Sequence, residues 1–340
     1  MKLPYLITVR MILGVLLVWM ALPSTAYGFD THFTSGKRSL AIPFELDHNH
    51  IYLRVSVNGS PPLSFILDTG ASHTVLSLQN AKAFGLGLQP VGNVQGGIGA
   101  EPLEAYITTD NVSYSLPGVV VSDQSLIVLP LDKAQECVAP TADGETGLKV
   151  TSGQETRAGK VLAGILGKDF FGNFVVEIDY PARLINLYDP QSFRYTGRGK
   201  SFPLEMDSQH IFVRAYVKAA GHPPVTARLV VDTGSGTALS LMRQFAENHK
   251  LLPPAEKMTV FTDCGIGGSE KEESWAGTLE ALELGGFKLP NPVTVFYRKS
   301  PIASGDGLLG WPALHGFKVV FDYSRSRMIL EMPRRTKSNR

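Results

Sequence analysis

The chain has 340 residues, 44% of them apolar and 19% charged, with a formal net charge of +1. That balance excludes a disordered chain. It also removes any electrostatic basis for binding nucleic acid or an anionic membrane. The length suits two domains of ordinary size, and 34 glycines with 22 prolines favour the many turns of an all-β protein.

The N-terminus reads as a targeting segment. Lys2 and Arg10 supply positive charge, residues 11–22 are uninterruptedly apolar, and the small residues Ala26 and Gly28 follow. Residues 1–28 are therefore expected to be a signal peptide, with the mature chain exported to the periplasm or secreted. The apolar run is short for a membrane span, so no stable span is expected in the mature chain. An uncleaved N-terminal anchor is the alternative. Cys137 and Cys264 are the two cysteines. In an exported chain they are candidates for a long-range disulfide.

From His50 the sequence reads HIYLRVSVNGSPPLSFILDTG, and from His210 it reads HIFVRAYVKAAGHPPVTARLVVDTG. Both stretches alternate apolar and polar residues, are expected to turn at a Pro-Pro pair, and run into Asp-Thr-Gly. Each predicts a β-hairpin whose second strand ends on an aspartate. LSLQNAKAFGL and LSLMRQFAENHKL then predict one short helix each. Further on, a block from Gly164 (GILGKDFFGNFVVEIDY) matches one from Gly307 (GLLGWPALHGFKVVFDY). The offset is 143 both from Gly164 to Gly307 and from Asp179 to Asp322, whereas Asp68 and Asp232 lie 164 apart.

The mature chain is thus an internal repeat. The expected lobes are 29–197, carrying an insertion near 130–161, and 198–333. A basic tail, 334–340, follows.

Duplication implies a pseudo-two-fold axis. If Asp68 and Asp232 face each other across it, two carboxylates share one site and hold one proton between them. One then takes a proton from water while the other donates to a carbonyl oxygen, which hydrolyses an amide without metal or covalent intermediate. Thr69 and Thr233 are placed to bond across the axis. Gly70 and Gly234 let the backbone approach the carboxylates. The plain alternative, a duplicated β-domain that kept its turns for stability, does not explain an aspartate in both copies.

These paired motifs resemble the pepsin/retropepsin family of aspartic proteases, and most of all bacterial exported aspartyl proteases with two retropepsin-like lobes in one chain. DTGASHTVL and the Gly96–Ala100 segment GGIGA are similar to a retroviral-type catalytic loop and flap, and GILG and GLLG to the segments that back each catalytic loop. The resemblance covers roughly residues 40–333. It implies an all-β fold of two pseudo-symmetric β-barrel lobes with a few short helices and a cleft between them. It further implies an aspartic endopeptidase with Asp68 and Asp232 as catalytic residues, Thr69, Gly70, Thr233, Gly234 and Ser235 as loop support, and a peptide or protein substrate bound as an extended strand.

Flap or substrate contacts are expected at Ser72, His73, Gly97, Ile98, Gly99, Ile266 and Gly267. His73 equally fits a solvated loop histidine, and neither flap carries the tyrosine of pepsin-type enzymes. No cofactor and no metal are expected, and with both catalytic loops in one chain a monomer is. Ser235 follows the second Asp-Thr-Gly where Ala71 follows the first, so a Ser235 hydroxyl donating to Asp232 is expected to keep the negative charge there.

Two other hydrolase types do not fit. HGF at His315 and GTALS at Gly236 lack the context of a subtilisin-type serine site, and for a zinc hydrolase the sequence offers only the HNH at residues 48–50, which precedes a strand and reads as loop polarity. The competing reading is a non-catalytic peptide-binding protein on the same scaffold.

Overall fold

Alternating burial drives the two opening hairpins. In His50–Val57 and Ile211–Lys218 the inward residues are almost wholly buried while Arg54, Arg214 and Tyr216 stay exposed. Their partners are Leu63–Leu67 and Val225–Asp232, paired antiparallel with Tyr52 opposite Ile66 and Phe212 opposite Val230. The computed structural model describes residues 30–47, 49–94, 102–132, 161–261, 264–266, 268–269, 274–298 and 304–333. The candidate signal segment, residues 133–160 of the expected insertion and the basic tail lie outside them.

The hairpins do not turn at their proline pairs. Asn58 and Gly59 take the turn in the first, at φ of 48° and 76°, and Gly221 at φ 75° takes part in the second. A left-handed turn needs positive φ, which proline's ring forbids. The prolines instead lead into the returning strands.

The chain then interlocks each aspartate strand with the later repeat block. Leu162–Leu166 lies parallel to Leu63–Leu67 and antiparallel to Val75–Ser77. In the second half Gly307–Gly310 lies in the same way between Val225–Asp232 and Leu239–Met242. The glycines make that slot: a Cβ on Gly164 would sit 2.2 Å from Phe65, and one on Gly307 2.0 Å from the Ser240 carbonyl oxygen. Among the described residues these strands belong to an eleven-stranded sheet in the first half and a ten-stranded sheet in the second. The short helices Leu78–Ala83 and Arg243–Asn248 follow the two Asp-Thr-Gly loops, the first capped by the Ser77 hydroxyl.

A six-stranded antiparallel sheet takes three strands from each half, in the order Lys200–Pro203, Arg327–Glu331, Lys318–Asp322, Val175–Asp179, Leu184–Tyr188, Arg38–Pro43. At its centre Val176 pairs with Phe321 and Ile178 with Val319. The repeat offset of 143 carries either pair into the other, which is the register a two-fold axis requires. Aromatic contacts cross between the halves as well: Phe171 stacks on Tyr323 at 5.6 Å, and Tyr180 on Trp311 at 6.0 Å. The fold is all-β, with one large sheet in each half, a shared six-stranded sheet and a few short helices. Among the described residues no helix is long and apolar enough to cross a membrane.

Candidate active site

Each aspartate is delivered by a buried strand and stopped by a turn. Leu63–Leu67 leads to Asp68, whose N–H bonds the Leu166 carbonyl at 3.0 Å. Val225–Asp232 ends on Asp232, paired with Gly310. The next residues, Thr69 and Thr233, are fully buried and clasp one another across the halves. The Thr69 hydroxyl donates to the Val231 carbonyl at 2.7 Å and accepts from the Thr233 N–H at 3.0 Å. Reciprocally, the Thr233 hydroxyl donates to the Leu67 carbonyl at 2.9 Å and accepts from the Thr69 N–H at 3.0 Å. Four bonds between buried groups fix the separation and tilt of the two loops.

The clasp brings each loop against the opposite carboxylate. A Cβ built on Gly70 would lie 2.6 Å from the Asp232 Cγ, and one on Gly234 2.5 Å from the Asp68 Cγ. Only glycine permits that approach. Each glycine N–H also donates to the carboxylate of its own loop, Gly70 to Asp68 Oδ1 at 2.7 Å and Gly234 to Asp232 Oδ1 at 2.9 Å. Both aspartates remain partly exposed, so the pair opens to solvent.

Burial pushes the Asp232 carboxyl well above its ordinary range. The Asp68 charge and a hydrogen bond with Asp68 push the same way, against the opposing N–H groups of Gly234 and Ser235. Two carboxyls held this close share one proton between them. The hydroxyl bond from Ser235 to Asp232 that the sequence suggested is not formed. The Ser235 hydroxyl turns away from the carboxylate to Thr237 Oγ1 at 3.2 Å, and Thr237 Oγ1 pairs with Ser240 at 2.8 Å. With hydroxyl partners in its own loop, the Ser235 side chain makes no hydrogen bond to Asp232, whose Oδ1 accepts the Gly234 N–H instead.

Ser72 and His73 lie on the rim of the first loop, the His73 Nδ1 3.0 Å from the Ser72 Oγ. The first flap tip, with Gly97, Ile98 and Gly99, falls outside the described residues, as do Gly267 and Cys137. The strands leading to and from that tip, Leu88–Val94 and Leu103–Thr108, form a hairpin. Where the second flap is expected, the short strands Cys264–Gly265 and Gly268–Ser269 flank Ile266. Ile266 packs, with Ala71, Val94 and Ile127, against a first-half apolar cluster that includes Tyr52, Ile66 and Leu129. The second hairpin thus reaches across to the opposite half.

Three supports have no counterpart in the sequence reading. The Asp169 carboxylate accepts from the Thr74 N–H at 2.8 Å and from its hydroxyl at 2.6 Å, anchoring the first Asp-Thr-Gly loop. Asn49 Nδ2 donates to the Gly236 carbonyl at 3.3 Å, and Lys168 Nζ to the Asp207 carbonyl at 2.5 Å, both between halves. The repeat could not flag the first of these, because Pro312 and Ala238 occupy the matching second-half positions. Among the described residues no group of three or more His, Cys, Asp or Glu side chains is arranged to hold a metal ion.

A family model described as aspartyl protease matches residues 53–170 and 215–313, which include both Asp-Thr-Gly loops. No curated protein matches the chain. Among solved structures, Basic 7S globulin from soybean is similar at 12% identity and a TM-score of 0.43, over 87% of this chain and 95% of that one.

Proposed function

The chain belongs to the aspartyl protease family, and on that premise we propose that it is an endopeptidase hydrolysing peptide bonds between Asp68 and Asp232. The observation that carries the reading is the reciprocal clasp of Thr69 and Thr233, which sets each loop against the other's carboxylate. Asp68, as carboxylate, takes a proton from the attacking water as its oxygen bonds to the substrate carbonyl carbon. Asp232 gives its proton to the carbonyl oxygen. In the resulting tetrahedral diol, Asp68 returns its proton to the amide nitrogen, the C–N bond breaks, and a diol hydroxyl proton restores Asp232. The two carboxyls end as they began, ready for the next turnover.

The mature chain is proposed to be exported after loss of residues 1–28 and to act as a monomer, since one chain supplies both loops. Cleavage of unfolded casein, with and without pepstatin and with Asp68→Asn, tests the reading. Pepstatin-sensitive cleavage that the variant lacks is expected. Tight peptide binding without cleavage at any pH from 2 to 8 would leave a peptide-binding protein instead.

A further inference from the structure

The chain ahead of the first repeated hairpin is built into the molecule at three places. Asp30–Phe33 is the outermost strand of the first-half sheet, paired with Val119–Gln124 from Asp30 opposite Ser122 to Phe33 opposite Val119. The Phe33 ring meets the buried Phe174 ring edge-on at 5.8 Å. Arg38–Pro43 is an outer strand of the six-stranded sheet, paired with Leu184–Tyr188. From that strand the Ser39 hydroxyl donates to the Pro117 carbonyl at 2.5 Å. A Cβ on Gly118 would lie 2.5 Å from the Ser39 Oγ, so the Pro117–Gly118 turn is shaped around the serine. The Lys37 carbonyl accepts the Asp189 N–H at 3.0 Å, which ties the segment to the connection between the halves as well.

The segment also belongs to the repeat. IPFEL at 42–46 matches FPLEM at 202–206 with an offset of 160, the same as from His50 to His210. The folded chain keeps the match. Pro43 pairs with Leu184 and Pro203 with Arg327. The Phe44 N–H donates to the Arg183 carbonyl at 3.1 Å, and the Leu204 N–H to the Ser326 carbonyl at 2.8 Å. Arg183 and Ser326 both take positive φ, 55° and 47°. Ile42, Phe44, Phe202 and Leu204 are all buried. Arg38–Pro43 thus closes one edge of the shared sheet as Lys200–Pro203 closes the other.

An N-terminal pro-segment that gates a cleft has to hold the site shut and then leave. Residues 30–43 are bonded to two sheets, a turn and the inter-half connection, and none of these bonds reaches an Asp-Thr-Gly loop. With residues 1–28 lost, Phe29 alone precedes the first paired residue. We propose that residues 30–43 are a permanent strap, and that the peptidase is competent once folded, with loss of the leader its last N-terminal processing step. The proposal rests on the peptidase reading and on the loss of residues 1–28. Removing residues 29–43 would strip the outer strand from two sheets and leave their ladder groups and the Asp189 N–H without partners.

Pepstatin immobilised on beads selects molecules with a competent site. The full chain, expressed with its leader and captured that way, should give one N-terminal sequence, FDTHF from residue 29. Its mass should stay unchanged while it cleaves casein without a lag. Asp68→Asn, purified without the beads, should have the same N-terminus, since no self-cleavage is needed to make it. A captured chain that begins after residue 43, or activity that rises as residues 29–43 are lost, overturns the proposal. A chain made from residue 44 tests the strap itself and should melt at least about 5 °C below one made from residue 29. If the shorter chain does not fold, Phe33→Ala and Ser39→Ala probe the two strands singly, and each should melt about 2–5 °C below the parent. A chain from residue 44 that melts and cleaves like the longer one, or two point variants that melt with the parent, also overturns the proposal. A chain from residue 29 that neither binds pepstatin nor cleaves, yet melts above the shorter chain, would instead sink the peptidase reading and leave the strap standing.

Discussion

Replacing Thr69 by Val keeps the shape of the buried side chain and removes its hydroxyl. The Thr233 N–H, bonded to it at 3.0 Å, and the Val231 carbonyl, bonded at 2.7 Å, both lose a partner. Thr69 is fully buried, so water does not replace it without opening the junction. Each orphaned buried group costs about 1–3 kcal/mol, so the variant should lose about 2–5 kcal/mol in all. Thr233→Val should cost the same within about 1 kcal/mol, because the clasp is reciprocal. Urea unfolding followed by tryptophan fluorescence reads the loss, and hydrolysis of a quenched peptide reads its effect on the pair. Activity should fall by at least about 100-fold, as expected when reacting groups shift by about an ångström. Thr69→Ser, which keeps the hydroxyl, should retain most of both. If Thr69→Val unfolds within about 0.5 kcal/mol of the parent, inside the range of a neutral surface change, the clasp does not hold the lobes in register.

Gly70→Ala should fold but lose at least about 100-fold in kcat, since its methyl would lie 2.6 Å from the Asp232 carboxylate carbon; near-parental turnover would contradict that close approach. Asp232→Asn should be more stable than the parent at pH 7, read by melting temperature. The raised folded-state pKa of Asp232 costs stability as the pH climbs from its unfolded value toward the folded one. The gain should vanish below about pH 3.8, where the carboxyl is protonated in both states, and a constant difference across pH would point to packing instead. Ser235→Ala should leave the acid limb of the pH–rate profile in place, because its hydroxyl faces Thr237; movement of that limb would put the hydroxyl back on the carboxylate.

The fold was legible because duplication prints the same pattern twice. Asp-Thr-Gly after a buried strand is commonplace once, but two copies followed by matching Gly-apolar-apolar-Gly blocks specify the interlocked strands that support each loop. The expected lobe architecture followed from that pairing. Other features depend on geometry that only the folded chain supplies. The Pro-Pro pairs drew attention away from Asn58–Gly59, where positive φ makes the turn. The Ser235 hydroxyl has several partners within reach, and its choice of Thr237 is a matter of rotamer and neighbours rather than of sequence position. Asp169 anchors Thr74 in the first half alone, so a symmetry argument passes over it. The contacts of Asn49 with Gly236 and of Lys168 with Asp207 join residues more than a hundred positions or several strands apart in sequence and fold, with no local pattern to mark them.

The most direct measurement is the rate of peptide cleavage by purified Asp68→Asn, by purified Asp232→Asn, and by an equimolar mixture of the two, over a range of protein concentrations. One chain carrying both halves of a single acid–base pair predicts that each variant falls by at least about 1000-fold. It also predicts that the mixture does no better at any concentration and that parental activity per mole stays constant. Cleavage by either variant near the parental rate, or recovery of substantial activity on mixing, would contradict a site built from Asp68 and Asp232 of the same chain.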